Sequence, residues 1–231
     1  MTSALSDRLD PHRLPRHTLP LRYDLELEPD LAAATFRGRV EITVATTEQT
    51  DALVLNAIEL EIAGVAVDGE QAPWQLEETT ERLFVMPSGG VSPGEHRLTI
   101  EFTGTLNDRL RGFYRSTYRD AGGDERVVAT TQMQSTDCRR AFPCWDEPDF
   151  KAVFGITLVV DPDHLAVSNG PEADRQTRPD GPGDGKVAIR FADTMSMSSY
   201  LVAFVVGPLE ATEWTDVDGI PLRVVHVPGK G

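Results

Sequence analysis

The sequence predicts an all-β fold, an antiparallel β-sandwich of many short strands, and three observations carry that expectation. The dominant apolar periodicity is two, the spacing that sends successive side chains to opposite faces of a strand. Turn sequences rich in Gly, Pro and Asp punctuate the apolar runs at short intervals. No window of helical length shows an apolar stripe repeating every 3.6 residues.

The elements follow in chain order. Tyr23, Leu25 and Leu27 alternate with Asp24, Glu26 and Glu28, and Gly38, Val40, Ile42 and Val44 alternate with Arg37, Arg39, Glu41 and Thr43. Each run has the pattern of a half-buried strand. Runs at 52–55, 60–67 and 82–85 are shorter, and Leu98, Ile100 and Phe102 restore the alternation. Further strands are expected at 152–160, 187–191, 200–206 and 222–227. Asp68-Gly69, Ser88-Gly89-Gly90, Pro93-Gly94 and Asp218-Gly219 supply the backbones that tight hairpins need. The stretch Arg175 to Lys186, RQTRPDGPGDGK, is expected to be a mobile surface loop rather than a packed strand.

A β-sandwich of 231 residues is commonly one domain, so 1–231 is expected to form a single unit, with 1–18 a flexible lead. Hydrophobic residues make up 40% and charged ones 26%, too apolar for a disordered chain. The net charge of −15 repels phosphate backbones and anionic lipid, so neither nucleic acid nor a membrane is an expected partner. No stretch approaches the roughly 18 consecutive apolar residues of a membrane span. Met1 to Pro20 is broken by Asp7, Asp10, Pro11 and Pro15 and does not have the apolar core of a secretory signal. A soluble, cytoplasmic protein is therefore expected. Cys138 and Cys144, the only cysteines, are too few for a disulfide scaffold and are expected to be reduced structural thiols, with a disulfide between them as the lesser alternative.

Val127 to Phe154 is the most chemically crowded stretch. After a short apolar run, Gln132 to Pro148 holds two glutamines, three acids, two arginines, two cysteines and two prolines. For Arg139, Arg140, Asp146 and Glu147 the structural role is the stronger one, ion pairs holding an irregular loop bracketed by Pro143 and Pro148. For Gln132 and Gln134 the balance tips toward function. Alternate residues of an extended chain project to one side, and an amide oxygen can receive a hydrogen bond from an ammonium group.

This stretch resembles the segment of aminopeptidase N-like zinc metallopeptidases that grips the free amino group of a peptide. The family pattern of Thr-Gln-x-Glu or Thr-Gln-x-Gln followed by Arg-x-x-Phe-Pro-Cys-x-Asp-Glu-Pro stands here as Thr131-Gln132-Met133-Gln134 and Arg139-Arg140-Ala141-Phe142-Pro143-Cys144-Trp145-Asp146-Glu147-Pro148. The likeness extends through Leu19-Pro20-Leu21-Arg22-Tyr23-Asp24-Leu25, Phe36-Arg37-Gly38, Gly112-Phe113-Tyr114-Arg115-Ser116, Ser168-Asn169-Gly170-Pro171 and Met197 to Phe204. It implies a saddle-shaped β-sandwich laid against a thermolysin-like catalytic domain, with Gln132 and Gln134 as substrate-amine anchors. Glu is the commoner family residue at the second position, so Gln134 makes that contact neutral on the protein side.

The resemblance also implies zinc, held by a His-Glu-x-x-His helix and a further Glu. His12, His17, His96, His164 and His226 include no pair at that spacing, and the family's Gly-x-Met-Glu-Asn segment has no counterpart. No catalytic or metal-binding residue is therefore assigned to this chain, and zinc is expected in a catalytic domain outside it. The leading expectation is a substrate-anchoring amino-terminal domain of a zinc aminopeptidase, silent by itself, whose partners are peptide amino termini and the catalytic domain. The alternative is a stand-alone β-sandwich module that binds a peptide or protein. A hydrolase built on Cys144 or Ser196 with a histidine is a third, weaker possibility, because no nucleophile turn or oxyanion loop accompanies them.

Overall fold

The computed structural model describes residues 9–179 and 185–230. Its first half contains β1 (Thr18–Asp30), β2 (Thr35–Thr46), β3 (Leu53–Asn56), β4 (Leu60–Val67), β5 (Glu70–Gln71), β6 (Trp74–Glu77), β7 (Arg82–Val85), β8 (Gly94–Thr105) and β9 (Gly112–Arg119). There follow β10 (Glu125–Gln132), β11 (Lys151–Val160), β12 (Leu165–Ser168), β13 (Glu172–Thr177), β14 (Val187–Phe191), β15 (Met197–Ser198) and β16 (Phe204–Gly207). The chain closes with β17 (Glu210–Ala211), β18 (Thr215–Val217), β19 (Ile220–Leu222) and β20 (Val225–His226). Among the described residues, helix is confined to short 3-10 turns at Cys138–Arg140 and Ser199–Leu201.

The expected all-β sandwich is the fold. A nine-stranded sheet runs β13-β14-β11-β1-β2-β8-β4-β5, with β15 added to β11. A four-stranded sheet runs β12-β16-β10-β9 and a three-stranded one β3-β7-β6. Apolar residues of all three join in one core. Burial follows the sequence alternation: Tyr23, Leu25 and Leu27 of β1, Val40, Ile42 and Val44 of β2, and Leu98, Ile100 and Phe102 of β8 all face inward. Rings lock the sheets together, Phe36 of β2 lying 5.2 Å from Phe113 of β9, itself 4.9 Å from Phe204 of β16.

Several elements depart from the expectation, among them the run 222–227, which is strand only at Leu222 and at Val225–His226. The β1–β11 pairing is parallel, with Tyr23 beside Phe154 and Leu27 beside Leu158, because the long excursion between them brings the chain back in the same direction. Residues 172–177 form edge strand β13 on β14 although every one of them is exposed. The Arg175–Lys186 segment is thus strand at its start, and Arg178 and Lys186 continue the ladder through Arg178 N–H to Lys186 O at 2.9 Å. Its tip, 180–184, lies outside the described residues. The run 200–206 is strand only from Phe204, since Ser199–Leu201 turns as 3-10.

The outer face of the large sheet is a lattice of charge. Arg22 and Arg190 grip Asp193 at 2.6 Å and 2.5 Å, and the bond from Arg22 above all pulls its carboxyl down to about 2. At the β4–β5 hairpin, Asp68 and Gly69 adopt positive φ of 53° and 85°. There His96 Nδ1 sits 2.7 Å from Asp68 Oδ2 and Nε2 2.8 Å from the Ser92 carbonyl. A neutral imidazole has one N–H, so only the imidazolium satisfies both acceptors. The bond to Asp68 accordingly raises the His96 pKa from 6.5, and although burial is the largest influence on the Asp68 carboxyl and works to raise it, the bonds from His96 and the Arg97 N–H together bring it below its ordinary value.

A raised folded pKa means that the His96 contribution is complete below the unfolded value of 6.5 and is lost as pH climbs through the folded one. Wild type should therefore exceed His96→Gln in melting temperature most at pH 6, and the gap should close toward pH 9. Thermal scans across that range check this, and a gap independent of pH would mean a neutral ring.

Candidate functional site

Strand β10 delivers Gln132 to the end of its ladder, where it stands opposite Gly112 of β9. Gly112 has φ +65°, and an added Cβ would lie 2.7 Å from Arg140 Cβ and 3.1 Å from the Asp137 carbonyl oxygen, so the register closes only on glycine. Beyond Gln132 the chain leaves the sheet with Met133 buried and Gln132 and Gln134 exposed on either side of it. The Gln134–Ser135 peptide is cis. Gln132 Nε2 donates to the Gln134 carbonyl at 3.4 Å, and among the described residues neither side-chain amide oxygen is engaged.

The turn carrying these amides is tied down just beyond them. Asp137 N–H donates to Met133 O at 2.9 Å, and the Asp137 carboxylate takes Arg111 Nη2 at 3.0 Å and Arg140 Nε at 2.9 Å. Arg140 also reaches Glu59 at 2.6 Å. Arg111 precedes Gly112, so this ring of bonds fastens the turn to the strand opposite Gln132. Asp137 was not singled out from the sequence, where it is an ordinary acid. Its only signal was three-residue spacing from Arg140 within a crowded loop.

The Arg/Asp/Glu set is structural, with partners partly different from those its spacing suggests. Arg139 Nε pairs with Asp146 at 3.0 Å and its Nη1 with Glu81 at 2.8 Å. Burial, the largest single influence, works against the Arg139 charge, and the attraction and hydrogen bonds of Asp146 and Glu81 together outweigh it, leaving the guanidinium pKa raised. Asp146, 1% exposed at its side chain, also accepts Ser199 Oγ at 2.7 Å, and its N–H donates to Asn56 Oδ1 at 3.2 Å. Glu147 turns instead to Arg16 at 2.6 Å and to the Leu14 N–H.

Cys138 and Cys144 are free and buried, and burial pushes both thiols up. With Asp146 they form the one grouping of three potential metal ligands found among the described residues, all within 4.8 Å. It does not suit zinc: the carboxylate is committed to Arg139 and Ser199, and thiols held protonated are poor ligands. The histidines do not converge either, His96 facing Asp68, His164 Asp161 and His226 Glu210. Among the described residues none of these three contacts includes Cys144 or Ser196. A surface concavity of about 680 Å³ is lined by Glu28, Asp30, Arg37, Glu59, Glu61 and Lys186 on the polar side of the large sheet and does not include Gln132 or Gln134.

Removing one partner of a buried pair strands the other charge, so Asp146→Ala should cost about 3–5 kcal/mol. Urea unfolding of the 231-residue chain measures it, and a loss below about 1 kcal/mol would show the pair to be dispensable.

Residues 19–201 match the family model described as the Peptidase M1 N-terminal domain. Aminopeptidase M1-A of Oryza sativa subsp. japonica is 41% identical over 228 residues, which cover 94% of this chain and 25% of that protein. Aminopeptidase 2, mitochondrial, of Saccharomyces cerevisiae is 39% identical over 222 residues, 94% of this chain and 23% of that protein. Puromycin-sensitive aminopeptidase of Caenorhabditis elegans is 39% identical over 224 residues, with the same coverage of 94% and 23%. The chain thus spans about a quarter of the length of these relatives. With its motifs, its sandwich and a match across most of its length in agreement, the chain belongs to the Peptidase M1 N-terminal domain family.

Proposed function

We propose that this chain is the substrate-anchoring amino-terminal domain of a zinc-dependent aminopeptidase, holding the free ammonium of a peptide at Gln132 and Gln134 and contributing no catalytic group of its own. The observation that carries the proposal is the placement of two unengaged amide oxygens on either side of buried Met133, on a turn fixed by Asp137, Arg111 and Arg140. A fixed turn holds the acceptors in place before the ligand arrives, which lowers the ordering cost of binding. Neutral amides recognise an ammonium by accepting its hydrogen bonds without the desolvation cost of a buried carboxylate. The surrounding charge of −15 adds a weak attraction for a cationic amino terminus.

Zinc in this proposal belongs to a catalytic domain that is the chain's partner, since the residues here do not fit the metal. The reduced thiols of Cys138 and Cys144 support a reducing, cytoplasmic setting. Among the described residues no helix is long and apolar enough to cross a membrane.

In a full-length enzyme carrying this domain, Gln132→Ala should lose one hydrogen bond to a charged group, about 1.5–3 kcal/mol, or roughly ten- to a hundred-fold in kcat/KM. Gln134→Glu should preserve or strengthen amine binding by adding charge. Steady-state kinetics on substrates with free and acetylated amino termini read both, and unchanged kinetics in folded Gln132→Ala would remove the anchor role. The 231-residue chain by itself should bind no zinc stoichiometrically and cleave no aminoacyl reporter. One tightly held zinc per chain by elemental analysis, or turnover that a chelator abolishes, would contradict this.

A further inference from the structure

The segment that precedes β1 makes no strand or helix from 9 to 17, yet it is packed onto the sandwich. Leu14 is 3% exposed and joins the core, Leu9 packs against that core, and Pro11 and Pro15 stiffen the backbone between and after them. The His17 carbonyl closes the segment by accepting the Thr47 N–H at 2.8 Å.

Two charged side chains of the sandwich are committed to it. Arg82, 3% exposed at the start of β7, donates from Nη2 to the Asp10 carbonyl at 2.5 Å and to the Arg13 carbonyl at 3.0 Å. Glu147, with 13% of its side chain exposed, accepts the Leu14 N–H, and Arg16 Nη2 at 2.6 Å. Arg16 reaches on to Asp149 at 2.9 Å, and its guanidinium lies 4.3 Å from the centre of the Phe150 ring. Charges this far removed from water depend on such partners, so lifting the segment would leave both unsatisfied.

Both contacts lead to the loop that carries Gln132 and Gln134. Arg82 stands opposite Asn56 in the β3–β7 register, and Asn56 Oδ1 accepts the N–H of Asp146, the residue before Glu147. Asp146 holds Arg139 at 3.0 Å, and Arg139 and Arg140 share one 3-10 turn. Arg140 holds Asp137 at 2.9 Å, and the Asp137 N–H donates to the carbonyl of Met133, between the two amides. Every step is a hydrogen bond, an ion pair or a covalent neighbour, which makes a contiguous network from the segment to the turn.

We propose that residues 9–17 are a strap that positions the amine-anchor turn, with Arg16 and Glu147 as positioning residues that touch no substrate. The proposal rests on the reading of Gln132 and Gln134 as the anchor. With the strap seated, the turn is ordered before a peptide arrives; with it lifted, that ordering is drawn from the binding free energy. KM then rises while kcat, set in another domain, holds.

The test is made in a full-length aminopeptidase carrying this domain. Arg16→Glu sets a negative charge against Glu147 and Asp149 and leaves the core closed, because the Arg16 side chain is 41% exposed. It should raise KM for substrates with a free amino terminus roughly tenfold, with kcat within about twofold. Hydrogen exchange read by mass spectrometry should quicken roughly tenfold at the amides of 133–147 while β1 and β2 stay protected. Arg16→Lys keeps the charge pair and should return KM and exchange to near wild type. Unchanged exchange at 133–147 in Arg16→Glu would overturn the proposal. So would exchange that quickens equally in β1 and β2, the mark of a merely structural lead, or faster exchange confined to 133–147 with KM unchanged while Gln132→Ala raises KM. If Gln132→Ala also leaves KM unchanged, faster exchange at 133–147 supports the strap and removes the anchor role.

Discussion

The buried Arg139–Asp146 pair is the polar tie on which the irregular loop between the sheets depends. A carboxylate with 1% of its side chain exposed is tolerable only if fully engaged, and Asp146 meets Arg139, Ser199 and, through its N–H, Asn56. Asn56 ends β3, Ser199 opens the 3-10 turn before β16, and Arg139 continues to Glu81 beside β7. Asn56 and Cys144 exchange backbone hydrogen bonds at 2.8 Å and 3.0 Å, and the Trp145 N–H donates to Tyr23 Oη at 3.0 Å. Tyr23 in turn stacks on Phe154 across the parallel β1–β11 pair, with ring centroids 4.7 Å apart. One irregular loop thus reaches all three large sheets, and its polar cost is met by bonds that fix each of them.

That rigidity is transmitted to the candidate site. The loop begins at Met133, and Asp137 bonds back to Met133 O while receiving Arg111 from the far side of the ladder. Gln132 and Gln134 therefore project from a turn with little freedom, although the two amides themselves are exposed. Exposure suits groups that meet a ligand, and fixing the backbone beneath them suits recognition by a small number of hydrogen bonds.

The two faces of the large sheet show how charge was allocated. Inward residues are almost wholly apolar, while the outer face carries paired ions such as Arg22 with Asp193 and Arg178 with Glu26. Exposed pairs of this kind add little stability and serve chiefly to keep a wide sheet soluble and unattractive to edge pairing. The β18–β19 ribbon differs in exposing the aliphatic side chains of Val217, Ile220 and Leu222 on one side.

The sequence by itself determined the periodicity of two, the inward set of β1, β2 and β8, the hairpins at Asp68-Gly69 and Asp218-Gly219, and the exposed amides around Met133, because each follows from local alternation or turn chemistry. The ordered motifs from Leu19 to Phe204 likewise made the family legible. Only the tertiary structure decided the parallel β1–β11 pairing, the strand status of 172–177, the partners of Arg140 and Glu147, and the role of Asp137. Strand direction depends on where a long connection returns, and an exposed edge strand is held by backbone bonds that leave no side-chain pattern. Ion-pair partners such as Arg16 and Glu147 lie 131 residues apart, a distance that no local spacing encodes and that only the closed core brings together.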